Sequence, residues 1–170
     1  PGSAALIGEL PRRGIQMSMG HTSALYDEAV DAYDAGVNSI THFYSMCSGV
    51  TRRNALRYAG VIEAGYLLDG IYVETIGDGI HLPEPLLRLI WKVKGPDRIV
   101  GITDAMRGAG MPDGPTILGS LDDGMAAIIE DGVAKLPDRS SFAGSVCTTD
   151  RVVRNYMIKA GASLPEAVQV

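Results

Sequence analysis

From Gly14 onward, short apolar runs alternate with segments whose apolar residues recur at helical spacing. Residues 14–20 read as a strand. Thr22 or Ser23 then caps a helix carrying Asp27 and Glu28 in its early turns, where the macrodipole favours anions. Leu25, Ala29, Ala32 and Tyr33 recur at the helical period, and Gly36 ends that helix. Residues 37–43 form the next strand. A polar, arginine-containing stretch over 47–57 leads into a short helix reaching Gly65. Residues 69–76 are a third strand. Pro83 and Pro85 open a helix with Leu86, Leu89, Ile90 and Val93 on one face, and Gly95 stops it. Residues 98–103 are a fourth strand. Strands alternating with helices predict βαβ units and a parallel sheet.

The pattern changes after Asp104. Residues 105–115 are a Gly- and Pro-rich loop, and 116–136 read as antiparallel strands with a hairpin turn at Asp131-Gly132. Thr148 or Thr149 caps a last full helix bearing Val152, Val153, Tyr156, Met157 and Ala160, and Gly161 ends it. Ser163, Pro165 and Glu166 then announce a further helix by the capping-box pattern, and the sequence stops about one turn later. One turn does not repay the cost of nucleation, so the expectation is a segment of a longer protein.

Composition narrows the function classes. The 170 residues hold 15 Lys+Arg against 20 Asp+Glu, a net charge of −5, which argues against nucleic acid as the main partner. A hydrophobic share of 46% supports a packed core. No apolar run approaches the roughly 20 residues that span a bilayer. Two cysteines, Cys47 and Cys147, lie in no metal-type spacing, and no charged region followed by an apolar stretch opens the sequence. A cytoplasmic setting is expected.

The candidate chemistry sits at strand ends. The three histidines, His21, His42 and His81, each fall at or just beyond the C-terminal end of a predicted strand, and Asp104 ends the fourth. In parallel α/β folds, ligands gather at that edge. Taken singly, each has a structural alternative: His21 as a loop residue beside a cap, His42 as a hydrogen-bonded core histidine, His81 as a helix-start residue, Asp104 as an Asx turn. Taken together they point to one site. Two neutral imidazoles suit a borderline divalent cation such as Zn²⁺, which brings the pKa of bound water towards 7. A carboxylate can move the proton, and a third imidazole can hydrogen-bond a developing oxyanion. This is a kit for metal-assisted hydrolysis of an amide or ester, short of one metal ligand.

The ordered set Gly20-His21-Thr22, Thr41-His42-Phe43-Tyr44, Asp78-Gly79-Ile80-His81 and Thr103-Asp104-Ala105-Met106 resembles the N-acetylglucosamine-6-phosphate deacetylases of the amidohydrolase superfamily. Gly108–Gly114 and Phe142-Ala143-Gly144-Ser145 continue the match. The resemblance implies an α/β fold: the second half of a (β/α)8 TIM-type barrel, with part of an attached small β-sandwich. Residues 1–114 would be the barrel segment, 115–146 part of the sandwich and a linker, and 147–170 a barrel helix and the start of the next. It further implies that His21 and His42 bind a divalent metal (Zn first; Fe, Co, Ni or Mn also), and that Asp104 is the general base and acid. His81 would contact substrate and polarise the acetyl carbonyl. Arg53 would reach the sugar phosphate, often across a homodimer interface, while Met46, Cys47, Phe142, Ala143 and Gly144 line the sugar pocket. The partner would be a phosphosugar, with neither nucleic acid nor membrane.

Two departures matter. The family's Asn-Ala-Met run is Ser45-Met46-Cys47 here, and Ser lacks the paired donor and acceptor of an Asn amide. The family's metal-binding Glu would lie upstream of Pro1. Alternatives are therefore an inert half-barrel scaffold or interaction module, and an amidohydrolase for another N-acyl sugar or a cyclic amide.

Overall fold

In the computed structural model, which describes residues 3–170, ten short strands and six helices follow the alternation of the sequence. The helices are α1 (Ser3–Glu9), α2 (Tyr26–Asp34), α3 (Val61–Leu67), α4 (Glu84–Lys94), α5 (Thr149–Asn155) and α6 (Leu164–Gln169). The strands are β1 (Ser18–Met19), β2 (Ser39–Ile40), β3 (Thr51–Arg53), β4 (Leu56–Tyr58), β5 (Tyr72–Ile76), β6 (Ile99–Ile102), β7 (Gly114–Leu118), β8 (Met125–Glu130), β9 (Val133–Lys135) and β10 (Phe142–Ser145). The described residues divide into two units: 3–75 with Ile90–Val100 and Val170, and Ile76–Leu89 with Gly101–Gln169.

In the first unit β1 pairs with β2, and β2 with β5, in parallel, as part of a sheet of order β1-β2-β5-β6. The strands are shorter than their apolar runs predict. β2 stops at Ile40 because the backbone enters a left-handed turn at His42 (φ 30°), which extended pairing cannot accommodate. Ile40, Val73, Phe43 and Val61 are buried, each contributing roughly 1.5–3 kcal/mol of apolar burial. α3 packs directly on this layer. A Cβ at Gly65 would lie 2.5 Å from the Phe43 ring and 2.9 Å from Ile40, so only glycine permits the approach.

Local details correct the expected pattern. α2 begins after Leu25 rather than Thr22 or Ser23: Glu28 takes the Leu25 N–H at 2.8 Å, while Thr22 Oγ1 accepts from Ala24 N–H in a separate turn. The polar stretch at 47–57 is largely a hairpin, β3–β4, turning on Asn54 and Ala55 at positive φ. On α4 the buried face is Leu87, Ile90 and the stem of Lys94, whereas Leu89 and Val93 are exposed. Lys94 Nζ donates to the Leu68 carbonyl at 2.9 Å, and burial holds its pKa below the usual lysine range against the pull of Asp69.

The second unit holds an antiparallel sheet of order β10-β9-β8-β7. Asp131 and Gly132, both at positive φ, make the β8–β9 turn as the dipeptide predicts. β10 is an additional strand beyond the predicted 116–136. α5 starts after Thr148 and passes into a π-helical turn, Tyr156–Ala160, closed by Gly161 at φ 80°. The Ser163–Glu166 capping box opens α6, with the Glu166 carboxylate on both the Ser163 N–H and hydroxyl. Among the described residues no helix is long and apolar enough to cross a membrane.

Candidate functional site

Three candidate residues share one backbone feature. His21, His42 and Asp104 each lie two residues beyond the last residue of a strand (β1, β2 and β6) and each adopts a positive φ: 45°, 30° and 46°. Such conformations are costly for side chains other than Gly and concentrate where function fixes a side chain's direction. At these positions the chain leaves the sheet abruptly.

In the first unit the structure brings His21 and His42 together. Their Nε2 atoms lie 3.0 Å apart, with the rings edge to face at a centroid distance of 4.7 Å. His42 is 8% exposed, and its buried Nδ1 meets no partner among the described residues. A buried imidazole with one nitrogen unpaired is unusual for a purely structural residue. Two ring nitrogens at this separation either share one proton or offer two lone pairs to one cation. Two ligands about 2.0–2.1 Å from a tetrahedral zinc sit about 3.3 Å apart, so the donor pair fits a borderline divalent ion with little movement. Among the described residues no cluster of three His, Cys, Asp or Glu gathers there.

The turn after His42 continues in alternating conformation. His42, Tyr44 and Met46 have positive φ, whereas Phe43 and Ser45 do not. Alternation of this kind turns successive N–H groups towards one side, the geometry of an anion-binding nest. The Ser45 N–H donates to the His42 carbonyl at 2.8 Å, and the Met46 carbonyl accepts the Thr22 N–H at 2.9 Å. Met46 is 70% exposed. Cys47 is half-buried, and burial pushes its thiol pKa up although N–H groups of His21 and Tyr44 face it. Beside the turn, the Tyr44 and Tyr66 hydroxyls are 3.0 Å apart, and burial raises the pKa of Tyr66 far above its ordinary value. Arg53 is exposed at the β3 end of the hairpin, its guanidinium 5.9 Å from the Tyr58 ring centroid.

In the second unit His81 is tied to Asp78, a partner that the sequence reading passed over. His81 Nδ1 lies 2.6 Å from Asp78 Oδ2, while Asp78 Oδ1 accepts the N–H groups of Ile80 (2.8 Å) and His81 (2.9 Å). Asp78 is 1% exposed. Burial alone would raise its pKa, but the His81 ring and the two N–H groups outweigh burial and hold it below the usual carboxylate range. The carboxylate is therefore ionised and selects Nδ1 as a protonated nitrogen of His81, leaving Nε2 for another partner. The available signal was the D-x-x-H spacing of Asp78 and His81 in one turn. The Phe142 and His81 ring centroids are 4.5 Å apart, Ala143 is buried, and Gly144 has φ 120°. The Asp104 carboxylate is exposed, and its carbonyl accepts the Ser145 N–H at 3.4 Å.

No family model matches the chain. Over its full 170 residues it is 33% identical to the N-acetylglucosamine-6-phosphate deacetylase of Lysinibacillus sphaericus, spanning 42% of that protein. It is 30% identical over 169 residues to the N-acetylgalactosamine-6-phosphate deacetylase of Escherichia coli O157:H7, again 42% of its length. Among solved structures, that of the N-acetylglucosamine-6-phosphate deacetylase of Thermotoga maritima superposes with a TM-score of 0.87 at 35% identity, covering 99% of this chain and 44% of that one. A mutant of the Mycobacterium smegmatis enzyme, in complex with N-acetyl-D-glucosamine-6-phosphate, superposes at 0.85 with 32% identity, covering 99% and 42%. Throughout its length, in sequence and in structure, the chain is a relative of the N-acetylglucosamine-6-phosphate deacetylases and spans about two fifths of them.

Proposed function

We propose that this chain is the metal- and substrate-binding part of an enzyme that hydrolyses the acetamide of N-acetylglucosamine 6-phosphate to glucosamine 6-phosphate and acetate. In this reading residues 1–114 are the second half of a (β/α)8 barrel. Residues 115–146 are part of a small β-sandwich and linker, and 147–170 a barrel helix and the start of the next. The observation that carries it is the His21–His42 pair: two imidazole nitrogens 3.0 Å apart, on strained residues that follow adjacent parallel strands. The relatives named above support the substrate, and the Mycobacterium smegmatis mutant was solved in complex with that phosphosugar. The enzyme is taken to be cytoplasmic and homodimeric.

His21 and His42 would hold the divalent ion, zinc first, with the remaining protein ligand from outside the chain. When bound, such an ion supplies Lewis acidity that makes water nucleophilic near neutral pH. Asp104 takes the proton of the attacking water and returns it to the departing amine nitrogen. His81, its Nδ1 engaged by Asp78, directs Nε2 at the acetyl oxygen on which charge develops. The N–H groups of Met46 and Cys47 and the fork of Arg53 serve the phosphate. Phe142, Ala143 and Gly144 border the sugar.

A second reading, the N-acetylgalactosamine 6-phosphate deacetylase, is favoured by one observation: a relative of that name is 30% identical over 99% of the chain. Acetate release by the full-length protein, measured on both phosphosugars, separates the two. The first reading predicts the larger kcat/KM on the glucosamine derivative. Asp104→Asn should abolish turnover while metal content stays unchanged, and retained turnover would refute its role.

A further inference from the structure

The loop that carries His81 is held from behind by three side chains of one helix. Its consecutive carbonyls at Gly77, Asp78 and Gly79 each accept a hydrogen bond from the segment formed by α5 and its π turn. Asn155 Nδ2 donates to Gly77 O at 2.8 Å, Arg151 Nη2 to Asp78 O at 3.2 Å, and Lys159 Nζ to Gly79 O at 2.8 Å. The donors are spaced four residues apart, so they lie along one face. Arg151 also donates to Gly132 O at 3.3 Å, which ties the same residue to the β8–β9 turn.

The contact leaves no slack. A Cβ at Gly77 would lie 2.5 Å from Val152, and one at Gly79 would lie 2.6 Å from Lys159 Nζ; Gly79 also has φ 69°. The loop backbone therefore rests directly on the helix. That backbone in turn aims the Asp78 carboxylate, because Asp78 Oδ1 is fixed by the N–H groups of Ile80 and His81. Asp78 Oδ2 then fixes the imidazole at 2.6 Å. Hydrogen bonds and the covalent backbone between them thus connect the helix donors, through three carbonyls, to the orientation of one ring.

We propose that Arg151, Asn155 and Lys159 are positioning residues that hold the His81 imidazole in its working direction through the 77–79 backbone. They act on turnover through geometry, without touching substrate. The proposal rests on the deacetylase reading for its kinetic consequence, but the hydrogen-bond series itself is independent of that reading.

The test compares Lys159→Met and Arg151→Met with Lys159→Arg and Arg151→Lys in the full-length protein. The Met variants keep the packing and lose the donor; the conservative variants keep a donor. The readouts are kcat and KM for acetate release, the imidazole N–H resonance of His81 by NMR, and the melting temperature. Each Met variant should lower kcat about tenfold, as a small misplacement of a working group does, with KM within about twofold. The His81 N–H resonance should shift or broaden in the Met variants and return in the conservative ones. An unmoved resonance with unchanged kcat overturns the proposal. So does a kcat loss that the conservative variants share in proportion to lowered melting temperature. If the wild-type protein releases no acetate, the deacetylase reading fails, and the resonance alone still decides whether the helix orients His81.

Discussion

At the residue scale, Asp78 is where burial, charge and function meet. Its carboxylate is buried yet ionised, because two backbone N–H groups and an imidazole saturate it. Removing it with Asp78→Ala strands those donors and should cost about 3 kcal/mol in chemical denaturation. The pH dependence follows from the sign of its shift. Its folded pKa lies below its unfolded value of about 4, so its stabilisation is complete above that value and fades as pH falls through the folded one. The stability gap between wild type and Asp78→Asn should therefore shrink as pH falls below about 4. A gap that widens in acid would contradict the assignment. The strand-end placement of His21, His42 and Asp104 was legible from the alternating pattern, and the structure brings His21 and His42 together. Asp78 was not singled out, since an Asp three residues before a His has the spacing of an ordinary turn, and only burial at 1% separates it. The positive φ of His21, His42 and Asp104 left no trace in composition, because nothing but the backbone geometry records it.

At the element scale, the alternation of strands and helices was legible, and the bounds were less so. Apolar runs announce a strand's interior, but the residues that end it do so by conformation, as His42 ends β2. The β3–β4 hairpin was not legible within the polar 47–57 stretch because Thr51–Arg53 and Leu56–Tyr58 carry three arginines and only one aliphatic side chain, with no alternating apolar face. The first helix after β1 starts at Tyr26 because its N-terminal N–H groups found Glu28 and the Ala59 carbonyl instead of a hydroxyl cap. α3 depends on close approach, which gives a sharp test. Gly65→Ala gains helix propensity and still should lose about 2 kcal/mol, because its methyl would enter the Phe43 ring. A variant melting at or above wild type would show that α3 can shift without cost.

At the scale of the whole molecule, the chain sets two imidazole nitrogens 3.0 Å apart and spans about two fifths of its relatives. The sequence reading reached the deacetylases through four short motifs in order, and the likeness over the full chain bears that out. The further metal ligand that the resemblance implies was expected upstream of Pro1, and among the described residues no group of three His, Cys, Asp or Glu gathers. The whole account turns on a metal held by His21 and His42 and used to release acetate. The most direct measurement is acetate release from N-acetylglucosamine 6-phosphate by the full-length protein, taken as purified, after chelation, and after divalent metal is restored. The account predicts turnover that is lost with the metal and regained with it, and no recovery in the His21→Ala variant. Turnover that survives complete removal of metal, or that His21→Ala leaves intact, would contradict it.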